Sequence, residues 1–285
     1  LQALHGENLN LKTMAEKISE TRWGHAQKCE KRYWQQIRLV RTDAVQKNIE
    51  KYWHWYLQIF KENIKITDKT KILEIGCGPD GMINYIEGGE KYGLDPLMDY
   101  FTKNFKMSDK VKWIKAMGEH IPFEDNYFDV VVSTNVLDHV FNPDSFLKEI
   151  RRTLKPKGNF FLTVDCCKPL LLRYRKLKEF FHIGDGPHPH SFSIDDVKKI
   201  LNKNNLSVIF TQAGMGNLGK YSGEDRFVKL SAFKRATKII KEKGIISLFG
   251  AISGKILEIA ERKIITREKE RVDFIFIAEK NKNGN

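Results

Sequence analysis

Apolar residues recur at steps of three and four from Ile37 to Phe60, through Val40, Ala44, Val45, Ile49, Trp53, Tyr56 and Leu57. That period lines one face of a helix, so a long amphipathic helix is predicted over 37–60. After Thr67 and Asp68 the pattern changes to short apolar runs separated by helical stretches, as parallel α/β units require. Strands are predicted at 71–75, 92–94, 111–115, 129–133, 159–164, 207–211 and 273–278. Helices are predicted at 82–86, 98–105, 143–154 and 194–202, and Lys155-Pro-Lys-Gly stops the third before a buried strand. About sixty residues separate the last two strands, too many for a plain loop. The organisation expected is therefore a helical region over 1–66, serving as cap or acceptor wall, and an α/β domain over 67–285 with a helical insertion at 214–270.

Composition narrows the classes. With 285 residues and 41% hydrophobic positions the chain can bury a real core. The longest apolar-rich stretch, Gly244 to Ala260, is broken by Ser247, Ser253, Lys255 and Glu258, so no membrane-spanning helix is predicted. The opening LQALHGENLN lacks the order of a secretory signal, and a cytoplasmic location is expected. Four cysteines without CxxC spacing point to reduced thiols. The formal charge of +13 favours a polyanionic partner, yet the excess is spread as Lys among Glu, the look of solvated helical faces. Trp23, Trp34, Trp53 and Trp55 crowd the N-terminal region, where packing onto the next domain and an acceptor-pocket wall are the two readings.

The densest chemical signal is KILEIGCGPDGMI, an apolar strand that runs into Gly76, Gly78 and Gly81. Glycines there permit a tight turn and a close ligand approach. Asp95 follows the next strand, positioned for ribose hydroxyls, a pairing that also fits a nicotinamide dinucleotide. Glu74, two residues before Gly76, shifts the balance: a carboxylate there meets a cationic amino-acid group, whereas it repels a pyrophosphate.

Together with GEHIPFEDNYFDVVVSTNVLDHV and LKEIRRTLKPKGNFFLTV, this order of segments resembles the type 11 group of class I S-adenosylmethionine-dependent methyltransferases, over roughly half the chain, Lys71 to Gln212. The resemblance implies a Rossmann-like fold: seven mainly parallel strands, helices on both faces and an antiparallel last strand. It implies S-adenosylmethionine as cofactor, with Glu74, Gly76, Cys77 and Gly78 at the methionine part and Asp95 with Pro96 at the ribose. Met117, Gly118 and Glu119 match the adenine stretch, although Met117 stands where the family often has Asp. Asn135 matches the position beside the sulfonium. A nucleophilic Cys77 is rejected because no general base is near it in sequence.

For the acceptor, NVLDHV and HPHSFS resemble the small-molecule and glycan methyltransferases of the group, so a hydroxyl of a sugar, glycan or other small natural product is expected. RNA is the alternative that net charge suggests, and a nicotinamide reductase or a non-catalytic cofactor-binding protein is the rival of another class. The basic amphipathic segment 235–262 reads as an active-site lid or as a face for an anionic membrane bearing a lipid-linked acceptor. His139 is the expected general base, with Asp165 its orienting partner or a second acceptor-binding carboxylate, and with Asp138 beside it and His190 of the HPH loop in reserve. No metal is assigned: the spacing of His182, His188 and His190 is irregular, and no partnered carboxylate is obvious. Sequence gives no oligomeric state.

Overall fold

Seven strands share one sheet in the computed structural model, which describes residues 18–168, 171–173, 175, 188–215 and 271–281. They are β1 (Lys71–Ile75), β2 (Glu90–Leu94), β3 (Val111–Ile114), β4 (Phe128–Thr134), β5 (Leu154–Cys167), β6 (Leu206–Ala213) and β7 (Arg271–Lys280). Their order is β3-β2-β1-β4-β5-β7-β6. The first five pair in parallel, whereas β7 runs antiparallel to both β5 and β6. The expected fold class is the one observed. Ile72, Leu73 and Ile75, like Val130 to Val132, are buried because helices cover both faces, which is why these strands read as continuous apolar runs. Asp129 ties three strand starts together, accepting from the Lys71 amide at 2.8 Å and from Lys155 Nζ at 2.6 Å. The chain steps outward from β1 to β2 and β3 on one side and to β4 and β5 on the other. Such a reversal opens a crevice beyond the carboxyl ends of the strands.

The apolar stripe predicted as one helix over 37–60 belongs to two. Helix α1 (Glu20–Val40) ends at Arg41, and Thr42 caps α2 (Asp43–Asn63) by accepting from the Val45 amide. Arg41 itself turns away to grip Asp80 through both guanidinium nitrogens, at 2.8 and 2.6 Å. Ile49, Trp53, Tyr56 and Phe60 of α2 share a core with Ile72, Val130, Phe161 and Ile277, so α2 is part of the sheet's own packing. On the opposite face α4 (Pro143–Thr153) starts at Asn142 with Pro143 in its first turn, and α5 (Ile194–Lys203) starts at a Ser193/Asp196 capping box. Back on the face that α2 covers, α3 (Met98–Asn104) follows β2 and buries Met98 and Phe101 in that core. The helix expected over 82–86 is only a 3-10 turn, Met82–Asn84. Gly88 and Gly89, at φ of 73° and 71°, then take the backbone into the left-handed region and on to β2. The insertion 214–270 lies almost wholly outside the described residues, as do its segment 235–262 and His182. No described helix is long and apolar enough to cross a membrane.

The last strand is fastened to α2 by a buried polar contact. The Tyr56 hydroxyl donates to Asp273 Oδ2, and burial together with that carboxylate keeps the phenol protonated. Gly214 is required beside them, since a Cβ there would stand 2.4 Å from Asp273 Oδ2. Tyr56→Phe removes a bond to a charged acceptor and is expected to cost about 1.5–3 kcal/mol in denaturant unfolding. A loss below about 0.5 kcal/mol, the range of neutral surface changes, would mean that this contact does not hold β7 to α2.

Candidate active site

At the carboxyl end of β1 the chain turns so sharply that its side chains cannot be ordinary. Gly76 and Gly78 have φ of 69° and 52°. A Cβ on Gly76 would lie 2.3 Å from Val136, and one on Gly81 would lie 2.4 Å from Glu74 Oε2. Glu74 is fully buried and accepts from the amides of Met82 at 3.2 Å and Ile83 at 2.8 Å and from Thr134 Oγ1 at 3.1 Å. Its carboxylate therefore shapes the turn, where sequence had it facing a ligand's cationic end. Asp95 is likewise buried, not exposed: it accepts from Gly78 N at 3.1 Å and Leu97 N at 2.8 Å, closing the bend that contains Pro96. Burial raises its carboxyl to about 6, against the pull of those two amides. Burial also pushes the Cys77 thiol well above its ordinary range, so it stays protonated.

Of the adenine stretch, Met117 is half-buried, and Gly118 is wedged so closely that a Cβ would meet the Phe146 ring at 2.4 Å. Glu119 is buried and accepts from the amides of Phe141 at 2.7 Å and Asn142 at 3.2 Å, which fixes the entry to α4. Asn135, at φ of 55°, takes the backbone out of β4, and its side chain bonds to Tyr52. The lining fits a nucleoside ligand: a turn with no room for a Cβ at Gly76 or Gly81, and beside it the acceptor oxygens of Asp95 just past β2.

Beyond β4, the contact of Val136 with Gly76 brings the next residues up to this turn. His188 Nδ1 lies 2.8 Å from Asp138 Oδ2, and the rings of His139 and His188 have centroids 4.3 Å apart. His139 Nδ1 stands 3.3 Å from Glu30 Oε1, and its Nε2 stands 3.8 Å from Asp138 Oδ1. The carboxylates beside His139 are thus Glu30 and Asp138. Asp165, expected as its partner, instead acts on Tyr52 and Cys166. His190 departs further from expectation. Its ring is buried with Nε2 at 2.9 Å from the Val140 carbonyl, and burial lowers it to about 4, so it is a neutral packing donor and not a base that swings.

Helix α1 roofs the whole edge. Arg22 donates to the His188 carbonyl at 3.4 Å, Glu30 meets His139, and the Trp34 ring lies over Gly78, 3.0 Å from where a Cβ would be. Trp34 also packs edge-on against Phe101 at 5.4 Å, and Arg38 donates to Asn104 at 2.5 Å. Burial raises the Glu30 carboxyl, His139 pulls it down, and Asp95 and Asp138 push it up, so one side chain feels both halves of the site. Sequence gave no sign of Glu30, which looks like any acid on a polar helix face.

Comparison with known proteins agrees with this geometry. The sequence model of the type 11 methyltransferase-domain family matches residues 73–162. A sterol 24-C-methyltransferase, ERG6B, of Gibberella zeae is 30% identical over 138 residues, which cover 44% of this chain and 36% of that protein. The uncharacterised protein MJ0638 of Methanocaldococcus jannaschii is 31% identical over 178 residues, covering 61% of this chain and 74% of that one. The YcgJ protein of Bacillus subtilis shares the fold at a TM-score of 0.55 and 14% identity, over 81% of this chain and 100% of that one. The chain spans well under half the length of several curated methyltransferases that it matches, 36%, 42% and 33% in three cases.

Two outcomes follow for Asp95 and His190. A carboxyl raised from 3.8 to about 6 favours the ligand-free fold when protonated, so its contribution to stability is complete below pH 3.8 and is lost as pH rises through 6. Ribose hydroxyls prefer the ionised form, so affinity for S-adenosylhomocysteine should tighten between about pH 5 and 7. Asp95→Asn should abolish that rise and bind about ten- to a hundred-fold more weakly at pH 7.5. Calorimetry across that range checks it, and a flat wild-type profile would separate Asp95 from the ribose. His190→Ala should lower the melting temperature while leaving that affinity unchanged.

Proposed function

Because the chain belongs to the type 11 group of class I S-adenosylmethionine-dependent methyltransferases, we propose that it methylates a hydroxyl of a small acceptor, a sugar, a glycan or another natural product. One observation carries the reading: the glycine turn with Asp95 and the Asp138, His139 and His188 cluster share one edge beneath one helix. Gly76, Cys77, Gly78 and Asp95 with Pro96 would hold the methionine and ribose parts, Met117 and Gly118 the adenine, and Asn135 the neighbourhood of the sulfur. Glu74 and Glu119 act one step back, by fixing the loops. S-adenosylmethionine, when bound, supplies an electrophilic methyl group on a sulfonium.

What the chain must add is alignment and a route for the acceptor's proton. Alignment within a covered cleft supplies much of the rate of such a displacement. A hydroxyl must also shed its proton, and the half-buried His139 and His188 imidazoles, with carboxylates beside them, are the groups placed to assist. The sterol and thiol methyltransferases among the relatives carry small acceptors in their names, which supports a small molecule over RNA. A roof helix that lies against Gly78 favours the same class, since a polymer needs an open groove. An anionic membrane or lipid-linked acceptor rests on 235–262 and draws no support from the described residues.

Calorimetry with S-adenosylmethionine, S-adenosylhomocysteine and NADPH tests the cofactor. Micromolar binding of the two sulfur compounds is expected, and tight binding of NADPH alone would overturn the reading. Once a hydroxyl acceptor is found by screening, His139→Ala should keep its S-adenosylhomocysteine affinity while turnover falls about a hundred-fold or more. Full turnover in that variant would remove the cluster from the chemistry.

A further inference from the structure

We propose that Asp138, His139 and His188 form a binding site for one divalent first-row transition ion, with Glu30 of α1 holding the far nitrogen of the His139 ring. One ligand atom from each of the first three lies within 4.8 Å of the others, and Glu30 Oε1 lies 3.3 Å from His139 Nδ1. Two nitrogens and one oxygen at such separations close around an ion with bonds of about 2.0–2.2 Å after small inward rotations, leaving a further position open. Imidazole with carboxylate suits Zn²⁺, Mn²⁺ or Fe²⁺, while Mg²⁺ and Ca²⁺ prefer all-oxygen sets.

Two further features belong to a built site. The cluster is sheltered, with side-chain exposures of 4% for Asp138, 16% for His139, 26% for Glu30 and 32% for His188. Two carboxylates and two imidazoles converge on this cleft, and oxygen with imidazole nitrogen is a ligand set that a dication matches. The ligand segments are also stapled to each other. The His190 amide donates to the Asp138 carbonyl at 3.2 Å and its ring meets the Val140 carbonyl at 2.9 Å, so 188–190 is held beside 138–140 whatever the cleft contains. Packing of this kind fixes ligand orientation and is part of a metal site's affinity. In the sequence alone the irregular spacing of His182, His188 and His190 and the want of a carboxylate argue against a metal at His188, and the fold supplies Asp138 from fifty residues away.

The role of this ion deepens the proposed function and rests on it, although its binding does not. An acceptor oxygen taken as a further ligand gives up its proton at a lower pH, so with the ion in place the metal takes over the part that a free imidazole would otherwise play as base. The proton leaves to solvent, the oxygen forms its bond to the methyl carbon, and the carbon–sulfur electron pair returns to sulfur.

The test uses the full chain, stripped with a chelator and titrated separately with Zn²⁺, Mn²⁺ and Mg²⁺ by calorimetry, with S-adenosylhomocysteine titrated in parallel. One equivalent of Zn²⁺ or Mn²⁺ is expected, with no measurable Mg²⁺. D138N and H188A should each weaken binding about ten- to a hundred-fold or more, and E30Q should do so with the ligand set from Asp138 and the histidines intact. Circular dichroism and retained S-adenosylhomocysteine binding certify the fold of each variant, and the absorption bands of added Co²⁺ should change in H188A. Failure of wild-type protein to bind either ion, or equal binding by a folded D138N/H188A double variant, overturns the site. Metal binding without S-adenosylhomocysteine binding would uphold the site and overturn the methyltransferase reading.

Discussion

A carboxylate with no exposure to water has to be surrounded by donors, and Glu74 recruits three of them, from two distant parts of the chain. Leaving such a group unsatisfied would cost several kcal/mol, so the amides of Met82 and Ile83 and the Thr134 hydroxyl are drawn to it. That demand bends the chain after β1 tightly enough to exclude a Cβ at Gly81, and it couples the end of β4 to the end of β1. Gly76 then packs under Val136, two residues before Asp138. The cofactor turn and the imidazole cluster are neighbours because one buried acid organises both.

The two N-terminal helices look alike in sequence and do different work. Apolar spacing continues across Arg41 and Thr42, so periodicity alone joins them. Their difference is one of partner: α2 gives its apolar stripe to the sheet, whereas α1 buries Ala26 and Ile37 and offers mostly polar and aromatic side chains to the edge. Periodicity measures how much of a helix is covered and says nothing about what covers it.

For the same reason the strands were legible and parts of the site were not. Buried parallel strands announce themselves as apolar runs, and the glycines after β1 announce a tight turn, so the frame and the cofactor edge could be read from the chain. Burial of Glu74, Asp95 and Glu119 had no such signal, since an acid at a strand end reads the same whether it faces a ligand or a ring of amides. The pairing of Asp138 with His188 and of His139 with Glu30 depends on segments fifty and more than a hundred residues apart. His190 was misplaced because the HPH run gives no hint that its two rings point to different partners. The short 3-10 turn was missed because the competing acceptor, Glu74, lies upstream of it.

Four of the contacts that α1 makes fall on Arg22, Glu30, Trp34 and Arg38, positions separated by multiples of four. Four residues advance a helix by about 6 Å, close to the roughly 4.8 Å between adjacent strands. Glu30 accordingly reaches the loop after β4, Trp34 the loop after β1, and Arg38 the helix that follows β2, in the order in which those strands lie in the sheet. The helix is a ruler laid across the strands, graduated in turns. A residue inserted between Glu30 and Trp34 would rotate all that follows by about 100° and misread every strand beyond it, whereas a change at a single graduation alters one loop and leaves the others in register.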